Sequence, residues 1–110
     1  MVVVERLLWN TLLFDLYAEM LTERQREIYH AYFFEDMTME EVGDKLGITR
    51  QAVNFALKQA GRNLDHLEGR LGLVAIHQRA KGHIAALRAA LEAEKHDEAS
   101  RILIELTELI

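Results

Sequence analysis

The chain has no cysteine, no proline and only six glycines in 110 residues. Without cysteine there is no disulfide framework, no thiolate zinc site and no catalytic thiol. That absence suits a reducing compartment, so a cytoplasmic location is the expectation. Without proline, and with many Leu, Ala and Glu residues, the chain reads as all-α. A long hydrophobic run is lacking too. The N-terminal MVVVERLLW carries Glu5 and Arg6 and no basic stretch leading into a long apolar one. Neither a signal peptide nor a membrane span is expected there. Positive charge is the minority: 13 Lys and Arg against 18 Asp and Glu leave a net charge of −5. Half the residues are hydrophobic, enough for a globular domain with a modest core.

The helix starts are written in the spacing of threonines. Thr22 precedes Gln25 by three residues, and Thr38 precedes Glu41 by three. Each pair has the form of a capping box, in which the hydroxyl accepts from the third amide and the longer side chain reaches back. Thr49 stands at a third N-cap. Met37 with Val42, and Ile48 with Val53, flank two of these caps as hydrophobic staples do. Helices are therefore expected over about 3–20, 23–34, 39–46 and 50–66. Beyond lies a row at Leu64, Leu67, Leu71, Val74, Ile84, Leu87 and Leu91, whose spacing keeps it largely on one face. Gly69, Gly72 and Gly82 weaken that stretch, and a kink or break is expected near 68–72. A last helix, 98–109, is expected after Asp97 as its N-cap, with Ile102, Leu103, Leu106 and Leu109 on one side.

All the aromatic residues fall in the first half: Trp9, Phe14, Tyr17, Tyr29, Tyr32, Phe33, Phe34 and Phe55. Core packing is the expected role of each. The asymmetry divides the chain into an aromatic-centred head, 1–66, and an aliphatic helical arm, 67–110. The arm's apolar face needs a second helix, supplied either by fold-back or by another subunit.

Residues 37–59, MTMEEVGDKLGITRQAVNFALKQ, have the form of a helix-turn-helix. Two helices must cross closely at a sharp turn. Gly43 is small where the second helix presses on the first, and Gly47 supplies a turn at positive φ. Val42, Leu46, Ile48 and Val53 occupy the apolar positions between the helices. The outward face of the second helix offers Thr49, Arg50, Gln51, Asn54, Lys58 and Arg62, and from 49 to 64 there is no acid. Arg50 and Gln51 suit guanine and adenine edges, and Asn54 suits adenine. Lys58 and Arg62 suit phosphates. A solvated helix face would look much the same, and Glu40, Glu41 and Asp44 on the preceding helix would repel phosphates. Phe55 on this face suits a thymine methyl or a contact with protein.

The stretch 21–64, LTERQREIYHAYFFEDMTMEEVGDKLGITRQAVNFALKQAGRNL, resembles the fourth region of bacterial sigma factors, which reads the upstream promoter element. With the preceding helix included, residues 7–60 resemble more closely the YlxM family of small bacterial helix-turn-helix proteins. Leu13, Phe14, Asp15, Leu16 and Tyr17 match that family's LFDFY-like helix. Leu21, Thr22 and Gln25 match its LT-x-x-Q start, and Thr49 to Val53 its SRQAV-like segment. The resemblance implies a helix-turn-helix regulator linked, through gene neighbourhood, with the signal recognition particle. The chain departs from both patterns. Ala52 and Asn54 stand where sigma-like helices commonly carry arginines. Asn54–Phe55 and Lys58–Gln59 replace an aromatic-acidic pair and a Lys-Arg pair.

Catalysis is not expected. His30, His66, His77, His83 and His96 are scattered, and the six-residue step from His77 to His83 leaves one helical face. No phosphate-cradling glycine loop or nucleophile motif is present, and no cofactor is implied. Two functions stay open: a reader of DNA or RNA working through 49–62, and a non-catalytic accessory protein holding signal recognition particle components. A homodimer through 67–110 is compatible with either.

Overall fold

The computed structural model describes the backbone of residues 3–110 and side chains from residue 7 onward. Met1, Val2 and the Glu5 and Arg6 side chains of the N-terminal run lie outside the described residues. The fold is all-α. The described residues form α1 (Val3–Tyr17), α2 (Glu23–Phe34), α3 (Met39–Leu46), α4 (Arg50–Leu71), α5 (Leu73–Glu92) and α6 (His96–Leu109), without a strand. They group into two compact units, Met1–Leu71 and Gly72–Ile110.

In the first unit both capping boxes form. The Thr22 hydroxyl accepts from the Gln25 amide at 3.1 Å, and Gln25 Oε1 accepts from the Thr22 amide at 3.2 Å. Thr38 and Glu41 repeat the pattern at 3.1 and 3.2 Å. The α2 end closes through Met37 N–H donating to Ala31 O at 3.2 Å, with Asp36 in the left-handed region at φ 57°. This closure lets α3 start only a few residues later. Leu13, Ile28, Val42, Val53 and Leu64, one from each helix plus a second from α4, are buried together as its core. Each contributes about 1.5–3 kcal/mol relative to exposure.

The helix boundaries differ from expectation in three places. The expected helix 3–20 is α-helical only to Tyr17. Ala18–Met20 tighten into a 3-10 turn, because Leu21 is extended and donates back to Ala18 O at 3.0 Å. The expected end of the fourth helix at 66 is overrun by a full turn. Leu64 is fully buried, and the Tyr17 hydroxyl donates to Glu68 Oε1 at 2.6 Å, so tertiary contacts hold α4 to Leu71. Gly72, at φ 64°, then breaks the helix inside the expected 68–72 window. The break divides the apolar row: Leu64 belongs to the first unit's core, while Ile84 and Leu91 are solvent-exposed on α5.

The third difference is at α6. Its N-cap position is Lys95, without a side-chain cap, and Asp97 lies in the first turn instead. The cause is the α5–α6 turn. Lys95 N–H donates to Ala90 O at 2.8 Å and Glu94 is left-handed at φ 59°, so the turn geometry sets the start. Asp97 favours the helix from the first turn, through the dipole. The link is short, as in an αα-hairpin, and α6 folds back on α5 over Ala90, Ala99 and Ile102, with Leu87 partly buried beside them. His83 Nε2 lies 3.3 Å from Glu105 Oε2 across the hairpin.

The expected core role of the aromatics needs correction for three of them. Tyr17 and Tyr29 are buried, but Phe33, Phe34 and Phe55 are exposed. The rings of Phe33 and Phe34 still associate with others. Phe14 stacks on Tyr29 with centroids 5.3 Å apart, Phe33 lies 4.5 Å from Tyr29, and Phe34 lies 5.2 Å from Phe14.

Candidate nucleic-acid interface

The helix-turn-helix is built at one close approach. Gly47, at φ 70° and ψ 33°, ends α3 in the left-handed conformation. Ile48 N–H donates to Gly43 O at 3.0 Å, which folds the turn under α3. A Cβ on Gly43 would stand 2.7 Å from Ile48 O, closer than non-bonded carbon and oxygen approach. Thr49 then caps α4, its hydroxyl accepting from the Ala52 amide at 3.0 Å. Val42 and Val53, both fully buried, lie between the two helices. Gly47 has open space around it, so its demand is backbone conformation alone. Gly47→Val is therefore expected to destabilise the unit by about 2 kcal/mol, and Gly47→Asn by much less, because Asn visits the left-handed region. Thermal melts of the two variants check this ordering.

The six candidate contact residues fall on two adjoining rows of α4. Arg50, Asn54, Lys58 and Arg62 repeat every four residues, a row that drifts round the helix toward Phe55. Gln51 begins the adjoining row, four residues before Phe55, in the face turned away from the core. Arg50, Gln51, Lys58 and Arg62 are exposed, and Asn54 is half-buried. Thr49 sits at the helix N-terminus, where free amides and the dipole favour an anion. Arg62 donates to Gln59 Oε1 at 3.1 Å, a bond at the surface that is easily exchanged for a phosphate. Phe55 is 63% exposed at the middle of this face.

The first row borders features not apparent from the sequence. Asn54 and Lys58 line a cleft of about 290 Å³ walled by Tyr29, Tyr32, Phe33 and Met39. Arg50 lines a second, more open cavity of about 600 Å³, with Tyr32, Phe33 and the α3 N-terminus. Acids reach into both: Asp65 in the first, Asp36 and Glu40 in the second. The Tyr29 hydroxyl is pushed up to about 12, mainly by burial and further by the charge of Asp65, so it stays protonated. The α3 acids Glu40, Glu41 and Asp44 are all exposed, and Glu41 is also held by its capping bond. Among the described residues no group of His, Cys, Asp and Glu is arranged to hold a metal ion. No helix among them is long and apolar enough to cross a membrane.

The sequence pattern of the family UPF0122, described as "Putative helix-turn-helix protein, YlxM / p13 like", matches residues 4–104. The chain belongs to this family. It is 41% identical over 95 residues to a UPF0122 protein of Symbiobacterium thermophilum, covering 86% of this chain and 89% of that protein. A relative in a Thermoanaerobacter species is 34% identical over 103 residues, covering 94% of this chain and 88% of that one. A third, in Shouchella clausii, is 31% identical over 96 residues, covering 87% and 88%. No solved structure matches the chain. The family match runs past the helix-turn-helix into both helices of the second unit.

The aromatic wall was the part of the site missed in the sequence. Its signal was present as the spacing of Tyr29, Tyr32 and Phe33, which puts three rings on one side of α2. That spacing cannot say which α4 residues lie opposite.

Proposed function

We propose that this protein is a nucleic-acid-binding regulator that docks α4 through Thr49, Arg50, Gln51, Asn54, Lys58 and Arg62. The observation that carries the reading is the exposed N-terminal half of α4, which has cations and amides but no acid from 49 to 64. Gln51 faces out where a base edge would lie, and Lys58 and Arg62 are spaced for phosphates. Exposed Glu40 and Asp44 on α3 weaken the attraction, so affinity from one head is low. A homodimer through 67–110 would present two heads, and reader helices about 34 Å apart would reach successive major grooves. The resemblance to the YlxM family supports a role in the signal recognition particle pathway as part of this reading.

A second reading has its own support. Phe55 at the centre of the outward face, with Phe33 and Phe34 also exposed, suits a non-catalytic accessory protein that holds signal recognition particle components without binding DNA alone.

A salt titration on mixed-sequence duplex DNA and on structured RNA separates the two. Each phosphate neutralised contributes about −0.9 to the slope of log affinity against log salt for duplex DNA, so three cations permit about −3, and a dimer about −6. The Arg50→Ala, Lys58→Ala, Arg62→Ala variant is expected to lose most of that slope while keeping its helicity. Equal affinity and slope in both proteins would show that another surface binds. No binding by wild type at low salt favours the accessory-protein reading.

A further inference from the structure

We propose that the α5–α6 hairpin is the surface on which two copies of this chain associate, α5 of each copy lying along α6 of the other in a four-helix bundle. This rests on the homodimer reading above and gives it an interface. The first ground is the small core of the hairpin. Gly72–Ile110 is near the limit of about 40 residues below which disulfides, metals or oligomerisation are usually needed. Among the described residues the hydrophobic cluster between its helices is formed by Ala90, Ala99 and Ile102, with Leu87 partly buried, and Val74 is buried as well near the start of α5. Two of those side chains are single methyl groups, and the chain has no cysteine.

The second ground is what stays outside that cluster. Ile84 is 50%, Leu91 54%, Leu103 53% and Ile104 60% exposed. On α5 the steps Ala80, Ile84, Leu87, Leu91 alternate four, three, four, the spacing at which helices interlock side chains with a neighbour. α6 already occupies one flank of this row. The remaining flank, continued by Leu103 on α6, is left for further helices, and Ile104 lies round from it on the side of α6 away from Ile102.

Charge selects the occupant. α5 carries Arg79, Lys81 and Arg88 against a single acid, Glu92. α6 carries Asp97, Glu98, Glu105 and Glu108 against Arg101. Arg88 is placed by helical spacing between Ile84 and Leu91, and Asp97 and Glu108 lie on the side of Ile104. One hairpin thus bears both a basic and an acidic helix beside exposed apolar residues. A two-fold axis sets basic α5 against the partner's acidic α6, and every favourable pair forms twice. A partner with one uniform sign of charge would match only one of the two helices.

Sedimentation of the full chain at micromolar concentrations tests this, with circular dichroism to verify folding. Wild type is expected to show a reversible monomer–dimer equilibrium. Ile84→Asp with Leu103→Asp is expected to raise the dissociation constant by at least about tenfold with helicity unchanged, since both positions are exposed. Arg88→Glu alone and Glu108→Lys alone are each expected to weaken the dimer. The two together in one chain are expected to recover it, because the pairs across the interface are exchanged rather than lost. A wild type that stays monomeric overturns the homodimer reading and this surface together. A dimer indifferent to Ile84→Asp and Leu103→Asp leaves the homodimer standing and overturns the surface. Absence of recovery in the combined charge variant overturns the pairing of α5 with α6.

Discussion

Val53→Asp is expected to unfold the helix-turn-helix unit at ordinary temperature and neutral pH. Val53 is fully buried between α3 and α4, and its neighbours there include Val42, also fully buried. The substitution removes the transfer free energy of an aliphatic side chain, about 1.5–3 kcal/mol. It also puts a carboxylate where no partner waits, and an unpaired buried charge costs several kcal/mol more. The total stability of a small domain is only about 5–15 kcal/mol. The sign of the pH dependence is a further check. Burial raises the folded-state pKa of the new carboxyl above its unfolded value near 3.9. The folded state then holds a proton the unfolded state has released, so the deficit grows as pH rises from about 4. Val53→Ala lacks that pH dependence and costs less. Melting curves of both variants at several pH values, read by circular dichroism, check the pattern. A Val53→Asp protein that melts like wild type would place α4 in another register.

Gly43→Ala is the second large effect, and here the usual rule reverses. In an open helix position, Gly→Ala stabilises by about 1 kcal/mol. At Gly43 the new methyl would meet Ile48 O at 2.7 Å, and that atom is backbone. It cannot swing aside as a side-chain end would. The turn has to move, and with it the Ile48–Gly43 hydrogen bond at 3.0 Å and the Thr49 cap of α4. Forced displacement in a close-packed contact costs about 1–3 kcal/mol or more, which outweighs the gain in helix propensity. Gly82→Ala is the matched control. Gly82 lies inside α5 with open space around its Cβ direction, so that variant should be stabilised by about 1 kcal/mol. Opposite shifts in thermal midpoint for the same chemical change would verify the close approach. A Gly43→Ala protein stabilised like Gly82→Ala would show that α3 and the turn stand further apart.

The parts of this protein legible in the sequence are those decided over a few residues. Thr22 with Gln25 and Thr38 with Glu41 announced their helix starts because a capping box closes within a single turn. Gly47 announced the turn because only one backbone conformation satisfies it. The same locality explains an error. Asp97 looked like an N-cap by residue type, yet the turn through Glu94 had already set the start of α6 at Lys95. The candidate contact residues were legible as a list, since Arg50 to Arg62 share one helix, but the aromatic cleft beside Asn54 and Lys58 was not.

The sequence by itself determined an all-helical chain, the capped helix-turn-helix from Thr38 through α4, and the charge pattern of its outward face. Each follows from helical period and local hydrogen bonding, which are properties of neighbours in the chain. Tertiary structure alone decided that α4 continues to Leu71, where Tyr17 reaches Glu68 across the unit. It decided that Asn54 and Lys58 border an aromatic cleft, and that Phe33, Phe34 and Phe55 stay in solvent while Tyr17 and Tyr29 do not. It also decided that Ile84, Leu91, Leu103 and Ile104 remain outside the hairpin's own contact. The reason is common to all four: burial depends on which helices meet and at what separation, and residues distant in the chain set that jointly.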